Sequence, residues 1–547
     1  MLTSLLCALA LGHLVLGQSP QVTTSQGTMR GQVLKSRDGR DFFSFTKIPY
    51  AKPPEGERRF VISEKADNWT GILDATQTIP SCYQAGMFSG QGVSGQEDCL
   101  YLNVFTPNTT ARLPVLFSIH PGGFYGGSAG LFGSANFFMD EDVVFVAPNY
   151  RVGTLGFLSL EDNNIPGNMG LKDQALALEW TYREISAFGG DPKLITVIGE
   201  SAGGESSNAI CSITRTNGLI KGCISQSGNA WKPWSYQKPG LAREKALNLV
   251  RAVGCEGSEN YLKCLQGKPV ELVGNMSLLS NEYFQTVAPV MEPATAPGAI
   301  MTVWPPANVR SYPWIVGLCQ DDGMLVTSGY EYKEKSQQEI DQFINDFNKT
   351  VIRELYLENR TEVIQKIRER FFTNGLQPLR AIRNFYTEYL FMYPTLKGLS
   401  IQGGPNYLYK FNYTGGPSMS PGETKDIGVG HGAEMPYFFE MPFKVPGWPS
   451  AADLALSKQL IKMWVNFARD QNPTRHGEVK WLQFQNKYYL DIQNSGISVA
   501  ELNKYKEVID FWKNILTDQP SKSSMSSSSS LFIVTLSIFT VFKGLFP

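Results

Sequence analysis

The chain has 547 residues, 42% of them hydrophobic and 18% charged, with a formal net charge of −1. That apolar content is enough for a large core and excludes a disordered chain. The balanced charge, with no basic stripe and no acidic run, excludes nucleic acid as the partner.

Residues 1–17 (MLTSLLCALALGHLVLG) are a short apolar run ending on a small residue. They read as a secretory signal peptide cleaved near Gly17–Gln18, although no basic residue opens the run. Residues 18–60 read as short strands and turns, closing on Ile48-Pro49-Tyr50-Ala51-Lys52-Pro53-Pro54, where the prolines impose an extended path. LPVLFSIH at 113–120 is a buried strand that runs into Pro121-Gly122-Gly123-Phe124-Tyr125-Gly126-Gly127. VVFVAP at 143–148 is another strand, and GLKDQALALEWTYREIS at 170–186 an amphipathic helix. The helix feeds Ile195-Thr196-Val197-Ile198, β-branched residues suited to a strand buried on both faces. Further strands are expected over 224–228, 314–319 and 406–413. Residues 334–372 are charged, helix-periodic and free of Gly and Pro, as surface or lid helices would be; helices are also expected over 454–470 and 499–516. Strands alternating with helices over several hundred residues predict an α/β fold with a mostly parallel sheet covered by helices on both faces. One domain is expected over 18–518, a Ser-rich tether over 519–530 and a hydrophobic tail over 531–547.

The chemistry begins at Gly199-Glu200-Ser201-Ala202-Gly203, the G-x-S-x-G spacing of a nucleophile elbow. A Ser on a tight strand-to-helix turn occupies strained backbone, flanking glycines let neighbouring chain pass close, and the helix N-terminus directs N–H groups at it. A Ser nucleophile needs a base, an acid that orients the base, and donors for an oxyanion. Beyond the leader there are three histidines, His120, His431 and His476. His476 lies in a turn, and His120 ends a strand at the base of the glycine loop, a structural place. His431, flanked by glycines in Gly428-Val429-Gly430-His431-Gly432, is the candidate base. Asp322 follows the predicted strand 314–319 and is the candidate acid, with the adjacent Asp321 as runner-up. The Gly122, Gly123 and Ala202 amides are the candidate oxyanion donors. A serine mechanism of this kind needs no metal or cofactor, and the scarcity of His and the lack of H-E-x-x-H or C-x-x-C fit that.

These stretches resemble the type-B carboxylesterase and cholinesterase family over residues 20–517. The likeness is carried by Glu97-Asp98-Cys99-Leu100-Tyr101-Leu102-Asn103-Val104, Asn149-Tyr150-Arg151, Gly170-Leu171-Lys172-Asp173-Gln174, Phe188-Gly189-Gly190-Asp191-Pro192, the elbow, and the segment from Trp464 to Pro473. The resemblance implies an α/β-hydrolase fold, a small-molecule ester substrate, the triad Ser201, Asp322 and His431, and the donors Gly122, Gly123 and Ala202. It also implies disulfides Cys82–Cys99 and Cys255–Cys264 and buried ion pairs Arg59–Glu97 and Arg151–Asp173. Glu200 would stand beside the nucleophile, outside the triad. Three departures matter. Pro121 replaces the first glycine of the family's His/Tyr-Gly-Gly-Gly loop, a position that is not a donor, so the hole is expected to survive and be stiffer. Asp stands where the acid is more commonly Glu. No Trp lies between Cys82 and Cys99 to stack on a choline ammonium, which argues against a cholinesterase. The alternatives are an inactive neuroligin-like adhesion protein, which characteristically loses triad members, and a cholinesterase or hormone esterase of narrow range.

Eight cysteines include Cys7 of the leader. Six others fall in sequence-local pairs, suggesting Cys82–Cys99, Cys211–Cys223 and Cys255–Cys264, though spacing leaves the connectivity open. Cys319, in an apolar run, reads as a buried thiol. Asn-x-Ser/Thr sequons stand at Asn68, Asn108, Asn275, Asn348, Asn359 and Asn412. The polar spacer and terminal apolar tail fit a GPI-attachment signal, with its attachment site among Ser521, Ser523 and Ser524. A membrane span and a plain apolar tail are the alternatives. The expected location is the extracellular face of the plasma membrane, with the oligomeric state open.

Overall fold

The computed structural model describes residues 19–84, 93–131, 135–231, 235–279, 287–303, 311–331, 335–355, 360–372, 375–417, 428–441, 446–474 and 479–517. The leader, the tether and tail with Ser521, Ser523 and Ser524, His476 and Asn359 lie outside them.

In chain order the first strands are β1 (Gln21–Thr24), β2 (Gly27–Arg30), β3 (Gln32–Lys35), β4 (Asp41–Pro49), β5 (Ile72–Asp74), β6 (Tyr101–Thr106) and β7 (Leu113–Ile119). Then come β8 (Val144–Pro148), β9 (Gly190–Glu200), β10 (Gly222–Gln226), β11 (Trp314–Cys319), β12 (Asn406–Asn412), β13 (Tyr488–Gln493) and β14 (Gly496–Glu501). An 11-stranded sheet has the order β14-β13-β12-β11-β10-β9-β7-β8-β6-β4-β3, and a 3-stranded sheet the order β1-β2-β5. From β8 to β13 the large sheet is parallel. Its antiparallel strands lie at the two edges. This is the α/β-hydrolase architecture.

Side-chain alternation along the strands sends successive residues to opposite faces. Val197, Cys223 and Val316 go to one core, with Trp180 of the helix Met169–Glu184; Ile198, Ile224 and Ile315 go to the other, with Trp464 of the helix Ala451–Asp470. Residues on β9 from Ile195 to Glu200 are all buried, which explains why Ile195-Thr196-Val197-Ile198 shows no alternation of apolar and charged residues. Each fully buried large apolar side chain contributes about 1.5–3 kcal/mol, so the layers on both faces stabilise the sheet beneath the site.

Two expectations are corrected. The predicted helix over 499–516 is a strand at its start. Gly496–Glu501 pairs antiparallel with β13, Asp491 opposite Ser498, and only Tyr505–Thr517 is helical. The alternating burial of β14 at the sheet edge prevails over helix periodicity. The Cys211–Cys223 bridge is not made, and both residues are buried thiols. Cys211 lies in the last turn of the helix Ala202–Ser212, whereas the residue over Cys223 is Ser207, one turn earlier, with Oγ 3.8 Å from the Cys223 sulfur. A disulfide needs its Cβ atoms about 3.5–4.5 Å apart, which this helix register does not provide. Cys82–Cys99 and Cys255–Cys264 are bridged. The run 334–372 contains two helices, Gln337–Leu355 and Thr361–Phe371. No helix among the described residues is long and apolar enough to cross a membrane.

Candidate active site

The turn between β9 and the helix Ala202–Ser212 carries Ser201, at φ 55° and ψ −125°. Few non-glycine residues hold such a backbone, and it persists only where surroundings over-determine it. Here the Ser201 N–H donates to the Gln226 carbonyl at 2.8 Å, tying the turn to β10. Gly199 and Gly203 make the approach possible: a Cβ on Gly199 would strike the Gly203 backbone, and one on Gly203 would strike the Ile119 carbonyl.

Ser201, His431 and Asp322 converge from three separate elements. His431 Nε2 lies 2.8 Å from Ser201 Oγ, and His431 Nδ1 lies 2.8 Å from Asp322 Oδ1. Asp322 is fully buried and follows the carboxyl end of β11. Its second oxygen accepts the Cys319 N–H at 2.9 Å and the Ser227 hydroxyl at 2.9 Å. A carboxylate fixed on both oxygens can orient the imidazole with Nδ1 protonated, leaving Nε2 to accept the Ser201 proton. Asp321 faces elsewhere. It accepts the Val429 N–H at 3.1 Å and stands 3.6 Å from the Arg383 guanidinium, so it braces the loop that carries His431.

Glu200 reaches His431 as well, Oε1 to Nε2 at 3.3 Å. Behind Asp322, Glu434 is buried against Tyr409 and Cys319, with Cys319 Sγ 2.6 Å from its carboxylate. Burial, reinforced by the Asp322 charge, pushes the Glu434 carboxyl up to about 7. Burial likewise pushes the Cys319 thiol up, so it remains protonated. The Phe391 ring covers His431 at 5.1 Å between centroids.

Gly122 and Gly123, at φ 122° and 60°, stand beyond the end of β7, after His120 and Pro121. Ala202, fully buried, opens the helix after Ser201. His120 is buried at the base of this loop, its ring stacked on Tyr150 at 4.2 Å. The ion pairs Arg59–Glu97 and Arg151–Asp173 are formed, the second at 2.8 Å and almost wholly buried. Asn68, Asn108 and Asn275 are exposed, and Asn348 and Asn412 partly so. Ser227, Glu434 and Phe391 escaped the reading of the sequence. Ser227 shares with Ser201 a positive φ, at 45°, but no spacing motif announces it.

The family model described as "Carboxylesterase family" matches residues 18–512. A juvenile hormone esterase of Tribolium castaneum is 31% identical over 529 residues, covering 88% of each chain. Venom carboxylesterase-6 of Apis mellifera is 31% identical over 534 residues, covering 91% of this chain and 94% of the relative. Carboxylesterase 1E of Mus musculus is 31% identical over 543 residues, with the same coverage.

Proposed function

The chain belongs to the carboxylesterase family and is a carboxylic ester hydrolase; we propose that it acts through an acyl-enzyme carried by Ser201. Ser201 Oγ attacks the ester carbonyl while His431 Nε2 takes its proton. Asp322 holds the Nδ1 proton and stabilises the imidazolium. The oxyanion accepts from the Gly122, Gly123 and Ala202 amides. Collapse expels the alcohol, which takes the proton back from His431. A water then attacks the acyl carbonyl with His431 as base, releasing the acid and restoring Ser201. The observation that supports this reading most is the pair of 2.8 Å contacts joining Ser201, His431 and Asp322. No cofactor enters any step.

The same reading takes residues 18–518 as the hydrolase, secreted behind the leader 1–17, glycosylated at its sequons and held by a GPI anchor outside the cell. Its substrates are small neutral esters, since the Cys82–Cys99 segment offers no Trp for a quaternary ammonium. Hydrolysis of a short-chain chromogenic ester is the test. Ser201→Ala is expected to lower kcat by at least about a thousandfold, and acetylthiocholine to turn over more slowly than the neutral ester. Unchanged hydrolysis by Ser201→Ala would sink the proposal.

A further inference from the structure

We infer that His120 is a positioning residue for the oxyanion loop: its imidazole holds the Pro121 carbonyl and so aims the Gly122 N–H at the oxygen that gains charge. The inference rests on the Ser201 mechanism proposed above and deepens it. His120 Nδ1 lies 2.8 Å from the Pro121 oxygen. A carbonyl can only accept, so Nδ1 carries the hydrogen. Burial pushes His120 down to about 4, so at neutral pH the ring has a single proton and Nε2 is a bare lone pair.

The 121–122 peptide is trans. In a planar trans peptide the carbonyl and the following N–H point in opposite directions. Fixing Pro121 O against the imidazole therefore fixes Gly122 N–H on the other side. Some restraint is required, because Gly122 has no Cβ to resist rotation of that peptide. The Pro121 ring fixes only φ of residue 121 and leaves ψ, the torsion that turns this peptide, to the hydrogen bond from His120. The ring is itself braced. It stacks on Tyr150 with 14° between planes, and the Tyr150 hydroxyl donates to the His120 carbonyl at 3.0 Å. Gly127, at φ +109°, presses its backbone against the imidazole and Pro121 O where a Cβ would not fit. Gln84 clamps Gly127 in place, accepting its N–H at 2.6 Å and donating to its carbonyl at 3.0 Å.

His120 lines a cavity of about 40 Å³ together with Glu200, Gln226 and Met435. Neither His120 Nε2 nor Gln226 Nε2 has a hydrogen-bond partner among the described residues. At roughly 10–15 Å³ each, about three or four waters fit there. A water that donates to Nε2 reinforces the Nδ1–H form on which the Pro121 contact depends.

The test compares His120→Phe and His120→Asn with the wild-type protein. Phe keeps a ring for Tyr150 but loses the donor; the Asn amide nitrogen can stand where Nδ1 stands. His120→Phe is expected to lose about 10- to 100-fold in kcat/KM and, in parallel, in affinity for a trifluoromethyl ketone, with KM little changed. His120→Asn is expected within about fivefold of wild type on both measures. Unchanged kcat/KM and ketone affinity in His120→Phe would overturn the inference, as would a loss that His120→Asn fails to restore. Nitrogen-15 NMR of the histidines in the wild-type protein stands apart from any folding defect: a neutral, Nδ1-protonated His120 at pH 7 is expected, and an Nε2-protonated or charged ring contradicts it. Ser201→Ala run alongside separates the two proposals, because full activity in that variant refutes the mechanism whatever His120 does.

Discussion

Asp322 accepts hydrogen bonds from three sources, the imidazole, the Ser227 hydroxyl and the Cys319 amide. Of the residues around it, those with local signatures were legible in the sequence. Ser201 announces itself through two glycines and a β-branched strand, and His431 through the scarcity of histidines. Ser227 and Glu434 were not legible, because their roles exist only once β10 and β11 lie side by side and the His431 loop folds over them. Glu434 has a measurable consequence. Its native carboxyl sits at about 7 against an ordinary 4.5, so between those values the native state holds a proton that the unfolded chain has lost. Stability from this group is therefore complete below the unfolded value and is lost as pH rises through the native one. Glu434→Gln should abolish that decline. Denaturant unfolding of both proteins from pH 4.5 to 8 should show wild type losing up to about 3 kcal/mol relative to the variant. Parallel curves would contradict the assignment.

Elements were legible where their periodicity was strong. β11 and the helix Met169–Glu184 follow from their apolar patterns, whereas β14 was hidden because its alternation spans only six residues and runs on within a few residues into the helix Tyr505–Thr517. The corrected Cys211–Cys223 pairing has the same origin, since closeness in sequence says nothing of helix register over a strand. Beneath the helix Met169–Glu184, Lys172 and Glu292 form an ion pair with no exposed surface on either side chain. Glu292 also accepts the Ile300 and Met301 N–H groups at 2.9 and 3.0 Å, fastening the loop 287–303 to this helix. Lys172→Met leaves a buried carboxylate without its cation and should cost about 3–5 kcal/mol of stability. Adding Glu292→Gln, which keeps an acceptor for both amides, should restore more than half. Chemical denaturation of the single and double variants checks this, and a single variant within about 1 kcal/mol of wild type would refute it.

At the scale of the whole molecule, a parallel sheet gathers strand ends on one edge. Ser201 follows β9, Asp322 follows β11 and the glycine loop follows β7, so the fold delivers distant residues to one place. This could be read from alternating strands and helices, although the strand order could not, because nothing local records which strand pairs with which. The chain ends were read from composition alone. If a GPI anchor holds the hydrolase, a phosphatidylinositol-specific phospholipase should release most of the esterase activity from intact cells in soluble form. Activity that remains with the membrane after complete digestion would exclude that anchor.

Whether Ser201 carries the acyl group is read from the intact mass of the protein after exposure to an organophosphate ester. One phosphoryl adduct per chain is expected, on Ser201, with hydrolysis lost in proportion to labelling, and no adduct on Ser201→Ala. An active protein that takes no label at Ser201, or a Ser201→Ala variant that labels and turns over as wild type does, would contradict it.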